Sequence, residues 1–326
     1  MSLEAPASKT TGRLPRAVAP ADGLAVAAVD CGTNSTRLLV VDGSGAPIVR
    51  LMRITRLGQG VDETHELGAE AIERTLAVLA DYRSVMDAHG VQRVRLVATS
   101  AVRDAANGGE LLRAASSVVG VAAELLSGEE EGLLAYAGAT AGLPPVAGDD
   151  VVLDIGGGST ELIVRTPSGV DVVSLDLGCV RLTERHLRHD PPMPEELDAA
   201  RTTIALELDR AVREIPPIGE LRSGSRLVGL AGTVSTLSML DQGLFDYEWD
   251  RVHHSVLTVR AVEAWSTTLA GEPAALRARR PGMVPGREDV IVGGALVLAA
   301  VMGRFGFAEC LVSESDILDG LVASLR

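Results

Sequence analysis

Residues 30–40 read DCGTNSTRLLV, and residues 154–164 read DIGGGSTELIV. The two stretches align without a gap: Asp, Gly, Ser, Thr, Leu and Val recur at matching positions. In each, an apolar run meets a small polar break and then a second apolar run. Such a pattern reads as two strands joined by a tight loop. Working outward, residues 24–141 suggest three strands, a helix, a strand, a helix, a strand and a helix. From Val151 the order restarts, with strands near 151–154, 161–164, 170–175, 226–230 and 310–312. Helices are expected at 194–215, 233–240, 259–269, 289–304 and 316–325. A restart on this scale is an internal repeat. It predicts an α/β protein of two like domains facing one another across a cleft. The expected boundaries are 23–141 for the first domain and 142–326 for the second, with the helix over 315–326 packing back on the first. Residues 1–22 lack the apolar core of a signal peptide and are expected to form a disordered lead.

Bulk properties agree with two cores. The chain has 326 residues, 46% of them hydrophobic, enough for two domains of ordinary size. Aromatics are only 2%, so the cores must be built of Val, Leu, Ile and Ala, which suits buried sheets flanked by helices. The formal net charge of −14 argues against general nucleic-acid binding, which calls for a basic face. No apolar run reaches the roughly 18 residues that a membrane span needs. Cys31, Cys179 and Cys310 form no CxxC pair, so neither a zinc site nor a disulfide framework is indicated, and a reducing cytoplasm is expected.

The polar loops carry the chemistry. Small residues between two strands expose backbone N–H groups in a concave nest suited to phosphate oxygens. Gly156, Gly157 and Gly158 remove side chains that would exclude an anion, while Ser159 and Thr160 add hydroxyls. Gly32, Thr33, Asn34 and Ser35 take the same places in the first copy. No GxxxxGK[ST] sequence exists, and a strand rather than a helix follows the glycines, so neither a Walker loop nor a dinucleotide fingerprint fits. One such loop could be only a hairpin turn; two matched loops make that reading inadequate. A third piece, GLAGTVSTL over 229–237, ends a strand at Gly232 and Thr233 and opens a helix, whose first amides suit an anion. Thr233 could equally serve as its N-cap.

Together these segments resemble the phosphate-1, phosphate-2 and third glycine motifs of the actin-like superfamily of sugar kinases, heat-shock ATPases and actin. Further segments, ATSAVR at 98–103, SGEEE at 127–131 and GCVR at 178–181, narrow the resemblance to the exopolyphosphatase/guanosine-pentaphosphatase (Ppx/GppA) family, in its short bacterial form. The resemblance implies two actin-like (ribonuclease H-like) domains and hydrolysis of a terminal phosphoanhydride. The substrate would be inorganic polyphosphate or, alternatively, guanosine pentaphosphate. It also implies Mg²⁺ as cofactor and a homodimer. A kinase is disfavoured by SGEEE, and a non-catalytic sensor by the retained acids.

Within SGEEE, Ser127 and Glu130 form a capping box, which gives Glu130 a structural reason to exist, and Glu129 is expected to face solvent. Glu131 gains nothing from the box and matches the family's catalytic glutamate. Asp154 and Glu161 flank the second loop across a hairpin, and their hard oxygens suit Mg²⁺. Asp30 either orders water or metal or caps its own loop through an Asx turn. Arg103 matches the family arginine that contacts phosphate, against the plainer reading of a salt bridge to Asp104 or Glu110. Arg56, Arg181, Arg185, His186 and Arg188 are read mainly as surface charges that could extend a basic track.

Overall fold

The computed structural model describes residues 23–166 and 169–326; the expected lead over 1–22 lies outside them. The first lobe runs β1 (Val26–Cys31), β2 (Ser35–Val41), β3 (Pro47–Ile54), α1 (Val61–Thr64), α2 (Ala69–Ala88), β4 (Arg93–Ala98), α3 (Ser100–Arg103), α4 (Gly108–Val119), β5 (Ala123–Leu125) and α5 (Gly128–Thr140). The second runs β6 (Asp150–Ile155), β7 (Thr160–Thr166), β8 (Gly169–Leu175), α6 (Cys179–His186), α7 (Pro194–Glu214), a 3-10 turn over 216–219, β9 (Arg226–Leu230), α8 (Ala231–Gln242), α9 (Trp249–Val252), β10 (Val256–Thr258), α10 (Val259–Ala270), α11 (Ala274–Arg277), α12 (Ile291–Phe305), β11 (Glu309–Val312) and α13 (Ile317–Ser324).

The repeat is borne out in the sheets. The first has the order β3-β2-β1-β4-β5, and the second β8-β7-β6-β9-β11 with β10 added at its edge. In each, the first strand pairs antiparallel with the second and parallel with the fourth. The central strands are apolar on both faces because helices cover both. One core, with Leu38, Leu79, Tyr82 and Leu96, fills the outer side of the first sheet. Another, with Leu153, Ile204, Leu237 and Leu298, fills the outer side of the second.

A third core joins the lobes. Val26, Leu39 and Val97 of the first sheet, Val152, Ile163 and Val228 of the second, and Leu134, Tyr136, Ile317 and Leu321 of α5 and α13 belong to one cluster. Helix α5, counted by sequence with the first lobe, packs on β7 and β8 of the second. Helix α13 packs on β1 and β2 of the first. The two helices cross at glycines: a Cβ on Gly138 would lie 1.9 Å from the Asp316 carbonyl oxygen, and one on Gly320 would lie 2.1 Å from that of Leu134. Only Gly lets backbones approach so closely.

The sequence reading passed over α6 and β10. β10 is three residues long, and α6 is eight residues with a mostly polar surface, so neither offers enough period to detect. Among the described residues no helix is long and apolar enough to cross a membrane.

Candidate active site

The two loops meet at the cleft. A Cβ on Gly157 would fall 2.8 Å from Thr33 Cβ and 3.2 Å from the Asn34 nitrogen, and one on Gly158 would fall 2.5 Å from Ser100 Oγ. The glycines of the second loop are therefore what allows the first loop to sit against it.

Each loop is held so that its carbonyls face away. In the first, the Thr33 oxygen accepts from Gly58 N at 2.8 Å, and the Asn34 oxygen accepts from the Thr55 and Arg56 amides at 3.1 and 3.0 Å. In the second, the Gly156 oxygen accepts from Cys179 N at 3.0 Å, and the Gly157 oxygen accepts from the Val180 and Arg181 amides at 2.9 and 3.1 Å. The GCVR segment thus opens α6 by capping the second loop. Occupying the carbonyls leaves the environment of the loops weighted toward donors, as an anion requires. Asn34 Nδ2 is a further buried donor without a partner among the described residues.

Between the loops lies a cavity of about 70 Å³, lined by Asp30, Gly32–Ser35, Arg37, Thr99, Ser100, Glu131, Asp154–Ser159, Cys179, Ala231, Gly232 and Arg287. Gly232 stands at the start of α8, where Ala231 takes a left-handed φ of 65°, a conformation that L residues adopt at a cost.

Three acids, Asp30, Glu131 and Asp154, stand in the wall. Asp154 and Glu161 are register partners on β6 and β7, so both project to the same face. Burial, with Glu131 and the neighbouring aspartates, pushes Asp154 up to about 7. Burial and the charges of Glu131 and Asp154 push Glu161 well above the usual carboxylate range. Asp30 is raised chiefly by burial despite Arg37, and its Oδ1 has no partner among the described residues. Glu131 Oε2 accepts from Arg103 Nη1 at 2.7 Å. Burial raises this carboxyl and Arg103 opposes the rise. Ser127 and Glu130 form the capping box that starts α5, so the helix that packs on the second sheet carries Glu131 into the cavity.

Four of the sequence candidates do not line the cavity. Arg103 stands behind Glu131, its Nη1 also donating to the Leu126 oxygen at 2.8 Å, and it pairs with Glu131 instead of Asp104 or Glu110. Thr160 turns away to donate to the Leu177 oxygen. Thr233, in the first turn of α8, is buried against Gly294 of α12. Glu161 sits behind the wall, its Oε1 accepting from Ser174 Oγ at 2.7 Å.

Two arginines were missed. Arg37 occupies the repeat position held by Glu161 in the other copy; its Nη2 donates to Asp30 at 2.7 Å and its Nη1 pairs with Asp316. Those acids and Asp154 hold it protonated against burial. A lone charge in an apolar strand was the available signal. Arg287 is buried, lowered by that burial, and makes no salt bridge among the described residues. A Cβ on Gly232 would fall 1.8 Å from its Cζ, so the guanidinium lies over the start of α8. Its loop carries no local signal.

Beyond Arg37 and Arg287 the cleft widens into a chamber of about 320 Å³, with apolar walls from Leu51, Met52, Met239, Val284 and Leu318 and a rim at Tyr247. Across that rim, the Arg50 guanidinium lies 5.0 Å from the centre of the Trp249 ring.

The arrangement has relatives. The model of the Ppx/GppA phosphatase family matches residues 39–325. The chain belongs to the Ppx/GppA phosphatase family. It is 42% identical to "Exopolyphosphatase 2" of Mycobacterium tuberculosis over 92% of this chain and 98% of that protein. The crystal structure of an exopolyphosphatase-like protein is 34% identical with a TM-score of 0.87, covering 92% of this chain and 98% of that one. The Aquifex aeolicus Ppx/GppA family member is 32% identical with a TM-score of 0.76, covering 93% and 97%. Family and fold are those the sequence resemblance implied.

Proposed function

We propose that the cleft hydrolyses the terminal phosphoanhydride of inorganic polyphosphate. The observation that carries this reading is the pair of abutting loops whose carbonyls are engaged elsewhere. They form an anion site inside an acidic protein, and the relative 42% identical to this chain is named for this activity.

In this reading the loop amides, Asn34, Arg37 and Arg287 hold the last phosphoryl groups. Glu131, aimed by Arg103, accepts the proton of a water that attacks the terminal phosphorus in line. The new P–O bond forms as the bridging bond breaks, and its electron pair leaves with the shortened chain. Phosphoryl transfer asks mostly for such positioning and charge neutralisation. Mg²⁺ fits the donors present. The unpartnered oxygen of Asp30 and the carboxylate of Asp154 are hard ligands, and burial raises both acids even with Arg37 beside them. Among the described residues no three acid, His or Cys side chains form a ready cage, which suits an ion that keeps waters and phosphate oxygens in its shell. Asp154 would hold it with Asp30 beside it and Glu161 behind. When bound, the ion neutralises charge on the phosphoryl oxygens.

A second reading, cleavage of guanosine pentaphosphate, is favoured by the apolar chamber, because a bare phosphate chain has no use for Leu51, Met239 and Leu318. Orthophosphate release with Mg²⁺ from short and long polyphosphate, guanosine pentaphosphate and ATP, side by side, tests both. Glu131→Gln is expected to lower turnover roughly 10²–10⁴-fold, the range of a general base. Near-normal turnover of that variant would remove Glu131 from the mechanism.

A further inference from the structure

The pairs Asp30–Arg37 and Asp154–Glu161 hold the same place in the two copies. Each joins the first strand of its sheet to the second in register. The third strand then sets Met52 opposite Arg37 but Ser174 opposite Glu161. Ser174 serves as a holder, its Oγ donating to Glu161 at 2.7 Å. A thioether is only a weak acceptor, so Met52 cannot do the same for a guanidinium. The first copy takes its holder from elsewhere.

That holder is Asp316, 279 residues further along the chain. Arg37 Nη1 donates to Asp316 Oδ2, while Nε and Nη2 donate to Asp30 Oδ2 at 3.1 and 2.7 Å. The guanidinium is strung between a carboxylate in the cavity wall and one in the chamber wall, and Arg37 itself lines both spaces. Burial works against its charge; of the groups that sustain it Asp316 comes first, ahead of Asp30 and Asp154.

Asp316 has a second task. Its Oδ1 accepts from Leu318 N at 2.9 Å and caps α13, and its own amide donates to Asp319 at 2.8 Å. A cap requires one oxygen and no charge, so Asn, Ser or Thr would also serve. The second oxygen and the charge find their use in Arg37, with Arg50 Nη1 3.8 Å from the capping oxygen. The Asp316 carbonyl also lies at the crossing with Gly138 of α5, the helix whose first turn carries Glu131. One crossing thus ties down two groups of the site, one at the start of each helix.

We propose that Asp316 is a positioning residue: by holding Nη1 it keeps Arg37 at the border of cavity and chamber, where an entering phosphate chain meets it. The proposal rests on the polyphosphate reading and deepens its account of binding. Without that carboxylate Arg37 keeps only its fork to Asp30 and is free to turn toward Asp154, away from the chamber.

The test follows inorganic tripolyphosphate, its binding read by calorimetry in a Glu131→Gln background. Asp316→Asn keeps the cap through its amide oxygen but then turns a donor toward Arg37. It is expected to raise Kd on the order of tenfold, the scale of coupling between residues in contact. With Arg37→Gln also present, the same change is expected to leave Kd where it was, since no guanidinium remains to be placed. An equal loss in both backgrounds, or no loss in either, overturns the proposal. Asp316→Ser, a second uncharged cap, repeats the comparison should the Asn variant fail to fold by circular dichroism. If the parent neither binds nor cuts tripolyphosphate, the polyphosphate reading fails, and the Arg37 side chain decides alone. Its Nε–H resonance, identified by its loss in Arg37→Gln, is expected to broaden on Asp316→Asn; an unchanged resonance overturns the positioning.

Discussion

At the scale of single residues, the site is a set of acids kept from water. Asp154 illustrates the cost. An unfolded aspartate titrates near 3.8 and the buried one at about 7. Between those values the folded state holds the extra proton, so stability falls as pH rises from about 4 to about 7. Asp154→Asn, melted in a chelator, is therefore expected to raise Tm at pH 8, by about 2–4 °C for each kcal/mol relieved, while turnover is lost. The gain should vanish near pH 4; an equal gain at both pH values would mean that charge burial is not its source. Glu131, the two glycine loops and Asp154 were legible because each lies in a short stretch with a chemical reason for its spacing. Arg287 was not, because its role comes from a guanidinium packed over Gly232, far off in sequence. Arg103 was found, expected to meet an anion, and the structure pairs it with Glu131.

At the scale of elements, α5 and α13 decide how the lobes are joined. Their crossing makes opposite predictions for two helical glycines. Gly138→Ala gains up to about 1 kcal/mol of helix propensity but forces a Cβ against the Asp316 carbonyl oxygen, and overpacking of this kind costs about 1–3 kcal/mol. The net expectation is a lower denaturant midpoint. Gly303→Ala in α12 meets nothing within 4 Å and is expected to raise it. Stabilisation by both changes would show that the crossing relaxes freely. Strand and helix positions were readable from apolar period alone. Which sheet α5 would choose was not, because its glycine-bearing face matches β8, where a Cβ on Gly128 would strike Ser174 and one on Gly132 would strike Val172. That is a question of shape between distant segments, and local pattern carries none of it.

At the scale of the whole molecule, two copies of one sheet order face each other, and the duplication in the sequence was enough to foresee it. The chamber was not foreseen, since it arises only where the lobes touch. Charges read singly as surface groups, Arg56, Arg181 and Arg185, prove to bridge the lobes once they are placed. The chain has only two Trp, and they stand in different circumstances. Trp249 lies beneath Arg50 of the other lobe, whereas Trp265 lies beneath Arg280 of its own. Trp249 is thus placed to report on the contact between the lobes. In a Trp265→Phe background the single remaining indole is expected to change emission as the lobes part or close around a phosphate chain, and Arg50→Leu should silence that response. An unchanged signal in the presence of Arg50 would mean that the gap over Trp249 never alters during turnover.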